Sequence, residues 1–207
     1  MRGALAGAGE GAEAGEVLAP AHTDWLYHHL RVEGEAEQVA AFRTAAAGAG
    51  VIPWTDNLGQ AAEDWFHLLV APPPSQRRSL SFEGARILAG QLRDAAEARR
   101  QRIAERAVAD RSCPFDLHRL LPVPAALLRL GPEHPQARAW LWAHWGTTGA
   151  LRGVVALQLP GRRGEGIGLL RVGFWAADWT PWRAVLTLRT RWPGLSINIR
   201  PLYDGPS

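Results

Sequence analysis

Residues 151–176 are LRGVVALQLPGRRGEGIGLLRVGFWA, and the fold prediction for the chain starts from this stretch. Two apolar runs, at 151–159 and 168–176, flank a short segment of glycine, arginine and glutamate at 161–166. Apolar runs of this length on either side of a glycine-rich turn are typical of two antiparallel strands joined by a hairpin. We therefore predict a strand, a turn and a second strand over residues 151–176.

The residues that follow predict a helix and a last strand. Thr180 is a favoured helix-capping residue and Pro181 a favoured first helical residue, so we expect a helix from there to about Arg191. Pro193 and Gly194 then end that helix. Apolar residues alternate over 195–201, which predicts a strand with these side chains on one face: Leu195, Ile197 and Ile199.

The N-terminal part predicts a further β–α unit. Residues 25–33, WLYHHLRVE, alternate in a way that places Leu26, His28, Leu30 and Val32 on one face, and Gly34 is expected to end the strand. Residues 35–47 carry apolar side chains at helical spacing. The predicted order is βαββαβ, which is the ferredoxin-like, or split βαβ, plan of an α+β fold.

The middle of the chain, about residues 57–145, is predicted to be helical. Asn57 is a plausible helix cap, Ser81 begins the longest helix, which runs to about Asp110, and two short helices are expected at 125–130 and 135–145. This portion is either a large helical insertion or an accessory helical layer on the ferredoxin-like sheet. Alternatively, only the last three elements form a ferredoxin-like unit with the helix and strand before them, and the pattern leaves this choice open.

The composition is that of a globular protein with two unusual features. Of 207 residues 47% are hydrophobic and 21% are charged, and all 23 basic residues are arginine. Arginine alone raises the pI to about 9.9 although the net charge is only +3, so the pI is weak support for a nucleic-acid partner. The one cysteine, Cys113, excludes an intrachain disulfide and a multi-cysteine metal site.

Boundaries and location follow from the same composition. Residues 1–22 are rich in Ala, Gly and Glu and are predicted to be a disordered leader, followed by a single α+β domain over 23–207. In that domain the strands and helix of 151–203 pair with residues 24–47. Glutamates interrupt the first twenty residues where a signal peptide is apolar, and no run reaches membrane-spanning length, so we expect a cytoplasmic protein.

Five short motifs occur in order along the chain: DWLYH at 24–28, CPFD at 113–116, LLPVP at 120–124, WGT at 145–147 and ADWTP at 177–181. Together they resemble the Api92-like proteins of phages, plasmids and bacterial chromosomes, over about residues 24–203. The resemblance implies a ferredoxin-like domain near the C-terminus and a link to mobile elements, and it implies no activity. Thr148 stands where the family usually has lysine, and Asp178 stands where a small residue is common.

The ten tryptophans are concentrated in the C-terminal half. Four of them are predicted to be structural anchors in the hydrophobic corner of the ferredoxin-like unit: Trp145, Trp175, Trp179 and Trp182. The alternative is an exposed aromatic platform that stacks nucleic-acid bases. Such platforms lie in the middle of strands, whereas only Trp175 is predicted on a strand, at its end, so the packing interpretation is preferred.

The polar residues do not form a recognisable catalytic or metal-binding pattern. His28 and His29 are adjacent in a strand and point to opposite faces. Cys113 lacks the local context of a nucleophile, and Asp116 is expected to cap a turn. An active site would need distant residues to converge: Asp116, His118, His144 and Asp178. We therefore predict no catalytic, cofactor-binding or metal-binding residue and no enzymatic activity.

Two functional hypotheses remain. The first is a non-enzymatic binding or regulatory protein, associated with mobile elements, that acts through its sheet or its helical portion on an unidentified partner, away from membranes. The alternative is a nucleic-acid-binding protein whose arginine patches contact phosphates: Arg77, Arg78, Arg99, Arg100, Arg162 and Arg163. Six arginines and five acids nearly cancel along residues 82–110, which is typical of a solvated, ion-paired helix and favours the first hypothesis.

Overall fold

The structure, a computed structural model, describes residues 24–55, 58–71, 80–158 and 166–203. The described residues form four strands and seven helices: β1 (Trp25–Glu35), α1 (Ala36–Ala46), α2 (Leu58–Val70), α3 (Phe82–Ala109), α4 (Leu117–Leu120), α5 (Ala125–Leu128), α6 (Pro135–His144), β2 (Arg152–Ala156), β3 (Ile167–Ala177), α7 (Trp182–Arg191) and β4 (Ser196–Leu202). The predicted leader, the Asn57 cap and most of the 161–166 turn lie outside the described residues. No helix of the described segments is long and apolar enough to cross a bilayer.

The four strands form one sheet in the order β2-β3-β1-β4, and each neighbouring pair is antiparallel. Strands β1 and β2 therefore run in the same direction with β3 between them, which is the split βαβ arrangement. The predicted α+β class is confirmed. The N-terminal strand β1 lies between β3 and β4, so it belongs to the same sheet as the C-terminal strands.

Strand β1 is two residues longer than predicted, because Gly34 continues the ladder opposite Gly168. At Gly34 a side chain would meet the backbone oxygen of Gly194 at 2.8 Å and the side chain of Leu195 at 2.7 Å. Glycine thus permits a close approach of two chain segments here and does not end the strand.

Helices α1 and α7 cover one face of the sheet. In β1 the side chains of His28, Leu30 and Val32 are buried on this face, and Leu30 and Val32 stand opposite Ile199 and Ile197 of β4. Helix α1 contributes Val39 and Phe42 to the same core, and α7 contributes Val185 and Leu188. The two helices therefore share one hydrophobic core with the inner face of the sheet.

A second group of buried side chains extends this core beneath α4 and α6. Trp145, directly after α6, is fully buried, and its indole N–H donates to the Leu121 carbonyl at 3.0 Å. Phe115 lies between Phe42 and Phe174, with ring centroids 6.5 and 5.8 Å away. The aromatic residues before α4 and after α6 thus join the short helices to the sheet.

Helices α2 and α3 pack chiefly against each other. Helix α2 has no buried residue, and α3 has only Ala85 and Ala89. The far end of α3 is tied to the rest of the protein by a hydrogen bond of 3.3 Å from the Arg106 guanidinium to the Ala49 carbonyl. The pair forms a helical hairpin beside the core.

The two strands at the edges of the sheet are irregular. The register of β2 against β3 shifts between Arg152 and Val155, which marks a bulge. Strand β4 carries Pro201, which has no backbone N–H to donate. Proline is tolerated on an edge strand for this reason.

Candidate functional site

The face of the sheet opposite α1 and α7 carries the odd-numbered side chains of β1 and β3 and the even-numbered side chains of β4. We call it the outer face; its central members are Trp25, Tyr27, His29, Arg31, Glu33, Arg171, Gly173, Trp175, Asn198 and Arg200. Strand alternation places them together because successive side chains point to opposite sides. Arg31, Asn198 and Arg200 are exposed, and His29, Arg171 and Trp175 are half-buried.

Aromatic rings occupy one end of the outer face. Tyr27 lies directly opposite Trp175, with ring centroids 5.1 Å apart, and also contacts His29 at 5.5 Å. The Tyr27 ring fits there because Gly173 has no side chain, and a Cβ at that position would overlap the tyrosine hydroxyl. Next to this cluster the Arg152 guanidinium lies 4.3 Å from the centre of the Trp25 ring, a cation–π contact.

The middle of the outer face concentrates positive charge. Arg31 stands directly opposite Arg171, and His29 stands opposite Arg200. Like charges in directly opposite positions destabilise a sheet. Glu33 offsets part of this charge through an ion pair of 2.7 Å with Arg31.

The charge also acts on the neighbouring histidine. The pKa of His29 lies below 6.5, because partial burial and then the positive charges of Arg171 and Arg200 disfavour the protonated ring. The Arg200 guanidinium has neither a hydrogen bond nor an ion pair with any residue that the structure describes. The outer face thus holds cationic groups that an anion would stabilise.

The structure separates the four predicted tryptophan anchors. Trp145 is in the core and Trp175 is on the outer face, whereas Trp179 is 59% exposed and Trp182 is 40% exposed. The prediction that Trp179 and Trp182 anchor a buried corner is wrong. Asp178, directly before Trp179, adopts a positive φ of 65°, so the extended backbone of β3 ends in a turn at this point.

That turn is held by the Asp178 carboxylate, which accepts a hydrogen bond of 3.1 Å from the Asp24 backbone N–H and another from the Thr148 hydroxyl. The prediction that Thr180 caps the next helix is also wrong. Helix α7 begins at Trp182 without a side-chain cap, and the Thr180 hydroxyl instead pairs with the Nε2 atom of His28 at 2.9 Å.

Of the six arginines in the predicted patches, the structure describes Arg99 and Arg100. Arg77, Arg78, Arg162 and Arg163 lie outside the described residues. Arg99 and Arg100 are on α3, where Arg100 pairs with Glu97 at 2.6 Å and Arg99 is exposed. Helix α3 packs against α2, so these two arginines belong to a different surface from the outer face.

The predicted polar candidates have structural partners. Asp116 is buried and accepts hydrogen bonds from the backbone N–H groups of Gly50, His118 and Arg119. The Nδ1 atom of His118 accepts from the Val123 N–H at 3.2 Å, and the His144 ring stacks on Trp140. These carboxylate and imidazole groups hold backbone turns and packed rings in place.

Neither Cys113 nor the described carboxylate and imidazole groups form a reactive or metal-binding arrangement. Burial raises the pKa of the Cys113 thiol, which donates to the Phe115 carbonyl at 3.3 Å, so it is a poor thiolate source. Across the described segments, no three side chains of His, Cys, Asp or Glu are grouped so that they could hold one metal ion. Asp116 and His118 do line a groove of about 480 Å³ between α3 and α4.

The sequence reasoning missed the residues of the outer face. Their signal was present in WLYHHLRVE, where the odd positions are aromatic or charged while the even positions are mainly apolar. What the local pattern could not show is the register that places Trp175 and Arg171 beside Tyr27 and Arg31.

Comparison with known proteins gives one likeness. No protein-family model matches the sequence, and no curated protein matches it significantly. Among solved structures, the chain is similar to the crystal structure of a protein api92 from Yersinia pseudotuberculosis, of family DUF1281. The two share 11% sequence identity over 89% of this chain and 92% of that chain, with a TM-score of 0.46.

Proposed function

We propose that this chain is a non-enzymatic binding protein whose ligand is single-stranded nucleic acid, held on the outer face of the sheet. The observation that carries the proposal is a group of three arginines on one sheet face, Arg31 directly opposite Arg171 and Arg200 on the next strand, beside an aromatic cluster. The proposal keeps the nucleic-acid class of ligand and moves its site from the arginine patches predicted from sequence.

The chemistry of the outer face suits an unpaired strand. Arg31, Arg171 and Arg200 can contact phosphates, and a polyanion bound there would relieve the repulsion between the like charges of Arg31 and Arg171. The half-buried rings of Trp25 and Trp175 offer π-faces on which bases stack without regard to sequence. A base in a duplex is already stacked, so we expect preference for single strands.

The test is fluorescence anisotropy with labelled single-stranded DNA and RNA of about 12 nucleotides, a length within the site sizes of proteins that bind single strands. A duplex of the same sequence is measured beside them. We expect saturable binding of the single strands that weakens steeply between about 50 and 200 mM salt. Arg200→Glu should weaken it and reduce the salt slope by at least about 0.7. Trp175→Ala should weaken it about fivefold or more, since one stacked base contributes about 1–3 kcal/mol.

Arg183→Glu is the matched control, because Arg183 is an exposed arginine on α7, the helix that packs on the inner face. Arg183→Glu changes the net charge as much as Arg200→Glu does, but it should leave the affinity and the salt slope close to those of the original chain. Binding that Arg99→Glu abolishes and Arg200→Glu leaves intact would assign the ligand to α3 instead. Failure of every oligonucleotide to bind at low salt would refute the proposal.

The proposal also includes membership of the Api92-like family, an association with mobile elements and a cytoplasmic location. The ordered motifs support the family membership and, through it, the association with mobile elements. The neighbouring genes provide a test. Genes for phage or plasmid functions on both sides would agree with it, whereas a fixed chromosomal operon of metabolic genes would contradict the mobile-element association.

A further inference from the structure

The helical hairpin of α2 and α3 is an incomplete packing unit. Helix α2 has no buried residue, although six of its residues are large and apolar: Leu58, Trp65, Phe66, Leu68, Leu69 and Val70. Leu68 is 74% exposed on α2, and Leu92 is 42% exposed on α3. Two helices alone bury too little apolar surface for stable packing, so we expect further helices to pack against this hairpin.

Helix α3 is about twice as long as α2, so a second α2 could pack along the remaining half of α3. Helix α2 has 13 residues and α3 has 28, so they extend about 20 and 42 Å. Phe66 of α2 contacts the Arg86 guanidinium at 5.3 Å, which places α2 along the N-terminal half of α3. The half of α3 beyond about residue 95 is not covered by its own α2.

Helix α2 and the second half of α3 carry charges of opposite sign. One side of α3, followed at alternating spacings of four and three residues, is apolar in its first half and basic beyond it: Leu88, Leu92, Ala95, Arg99 and Arg102. Helix α2 carries Glu63 and Asp64 and no arginine. Arg99 and Arg102 have no ion pair with any described residue, and neither has Glu63.

We propose that two copies of this chain dimerise through their helical hairpins, with α3 antiparallel to α3 about a two-fold axis. In this arrangement the α2 of one copy covers the C-terminal half of the other copy's α3. The acidic side chains of α2 then face Arg99 and Arg102, and the exposed leucines enter a four-helix core. A symmetric pairing of this kind is the commonest form of protein dimer.

Sedimentation velocity on the full chain tests the proposal over about 1 to 100 µM, a range that reveals micromolar dissociation constants. We expect a species of twice the 22.6 kDa chain mass that increases with concentration. Two charge-swap variants should each be monomeric: Glu63→Arg with Asp64→Arg, and Arg99→Glu with Arg102→Glu. Mixed in equal amounts they should form a dimer, since both α2–α3 contacts in the mixed pair unite opposite charges.

Arg183→Glu is again the matched control and should dimerise like the original chain. Circular dichroism of each variant shows whether the helices are retained, so loss of the dimer is separable from unfolding. A monomer at every concentration would overturn the proposal, and so would a dimer that persists in both charge-swap variants. Neither outcome bears on nucleic-acid binding by the outer face.

Discussion

His28 shows how one buried side chain links the pH to the stability of the fold. It is fully buried in the centre of β1, where its ring stacks on Phe174 with centroids 5.5 Å apart and pairs with Thr180. Burial lowers its pKa from 6.5 to about 4. The ring is therefore neutral in the folded protein at neutral pH.

We predict that the free energy of unfolding falls as the pH drops below 6.5, because the unfolded chain binds a proton that the buried ring rejects until about pH 4. His28 alone should account for about 2 kcal/mol between pH 7 and pH 5. Urea denaturation at a series of pH values measures this. His28→Gln should remove this part of the pH dependence, and an unchanged dependence in that variant would contradict the assignment to His28.

At the scale of elements, Trp145 and Trp179 make opposite contributions although both are tryptophans in short family-like motifs. Trp145 follows α6, is fully buried and donates to the Leu121 carbonyl. Trp179 lies between β3 and α7, with its side chain mostly in solvent. The attachment of α6 to the core thus depends on its tryptophan, whereas the start of α7 does not depend on Trp179.

We predict that Trp145→Ala lowers the free energy of unfolding by about 3–5 kcal/mol, as expected for a large cavity in a core. Trp179→Ala should change it by less than about 0.5 kcal/mol. Chemical denaturation of the two variants makes the comparison. A loss at Trp179 as large as that at Trp145 would show that its ring is covered in solution.

The order and type of most elements could be predicted from sequence because they depend on local periodicity, but the short helix α4 was not predicted. The hairpin of β2 and β3, α7 after Pro181 and the alternating strand β4 all occur where the pattern indicated. Details that depend on distant partners could not be predicted. Gly34 stays in its strand because Gly194 lies against it, and the Thr180 hydroxyl serves His28 and not a helix terminus.

At the scale of the molecule, the site was harder to predict than the fold. The outer face arises only when β1 and β3, which are far apart in sequence, pair in the register that sets Tyr27 opposite Trp175. Hydrophobic patterning gives the face on which each side chain lies, while the identity of its neighbour depends on register. The arginine patches were more visible in the sequence because their members are adjacent.

The distribution of buried side chains predicts that different parts of the molecule open independently. Native-state hydrogen exchange should show lower opening free energies for the amides of α2 and α3 than for those of β1 and β3, because the hairpin buries few side chains. The monomeric Glu63→Arg, Asp64→Arg variant is the proper sample, since dimerisation would protect the hairpin. Equal protection of hairpin and sheet would indicate one cooperative unit.

The bulge in β2 and the proline in β4 have a consequence for behaviour at high concentration. A regular edge strand is a template for an incoming strand, and chains with such edges assemble into extended aggregates. Here one edge is distorted and the other lacks a backbone donor at Pro201. Growth of the sheet from chain to chain is therefore disfavoured at both ends, and we expect concentrated solutions to resist fibre formation.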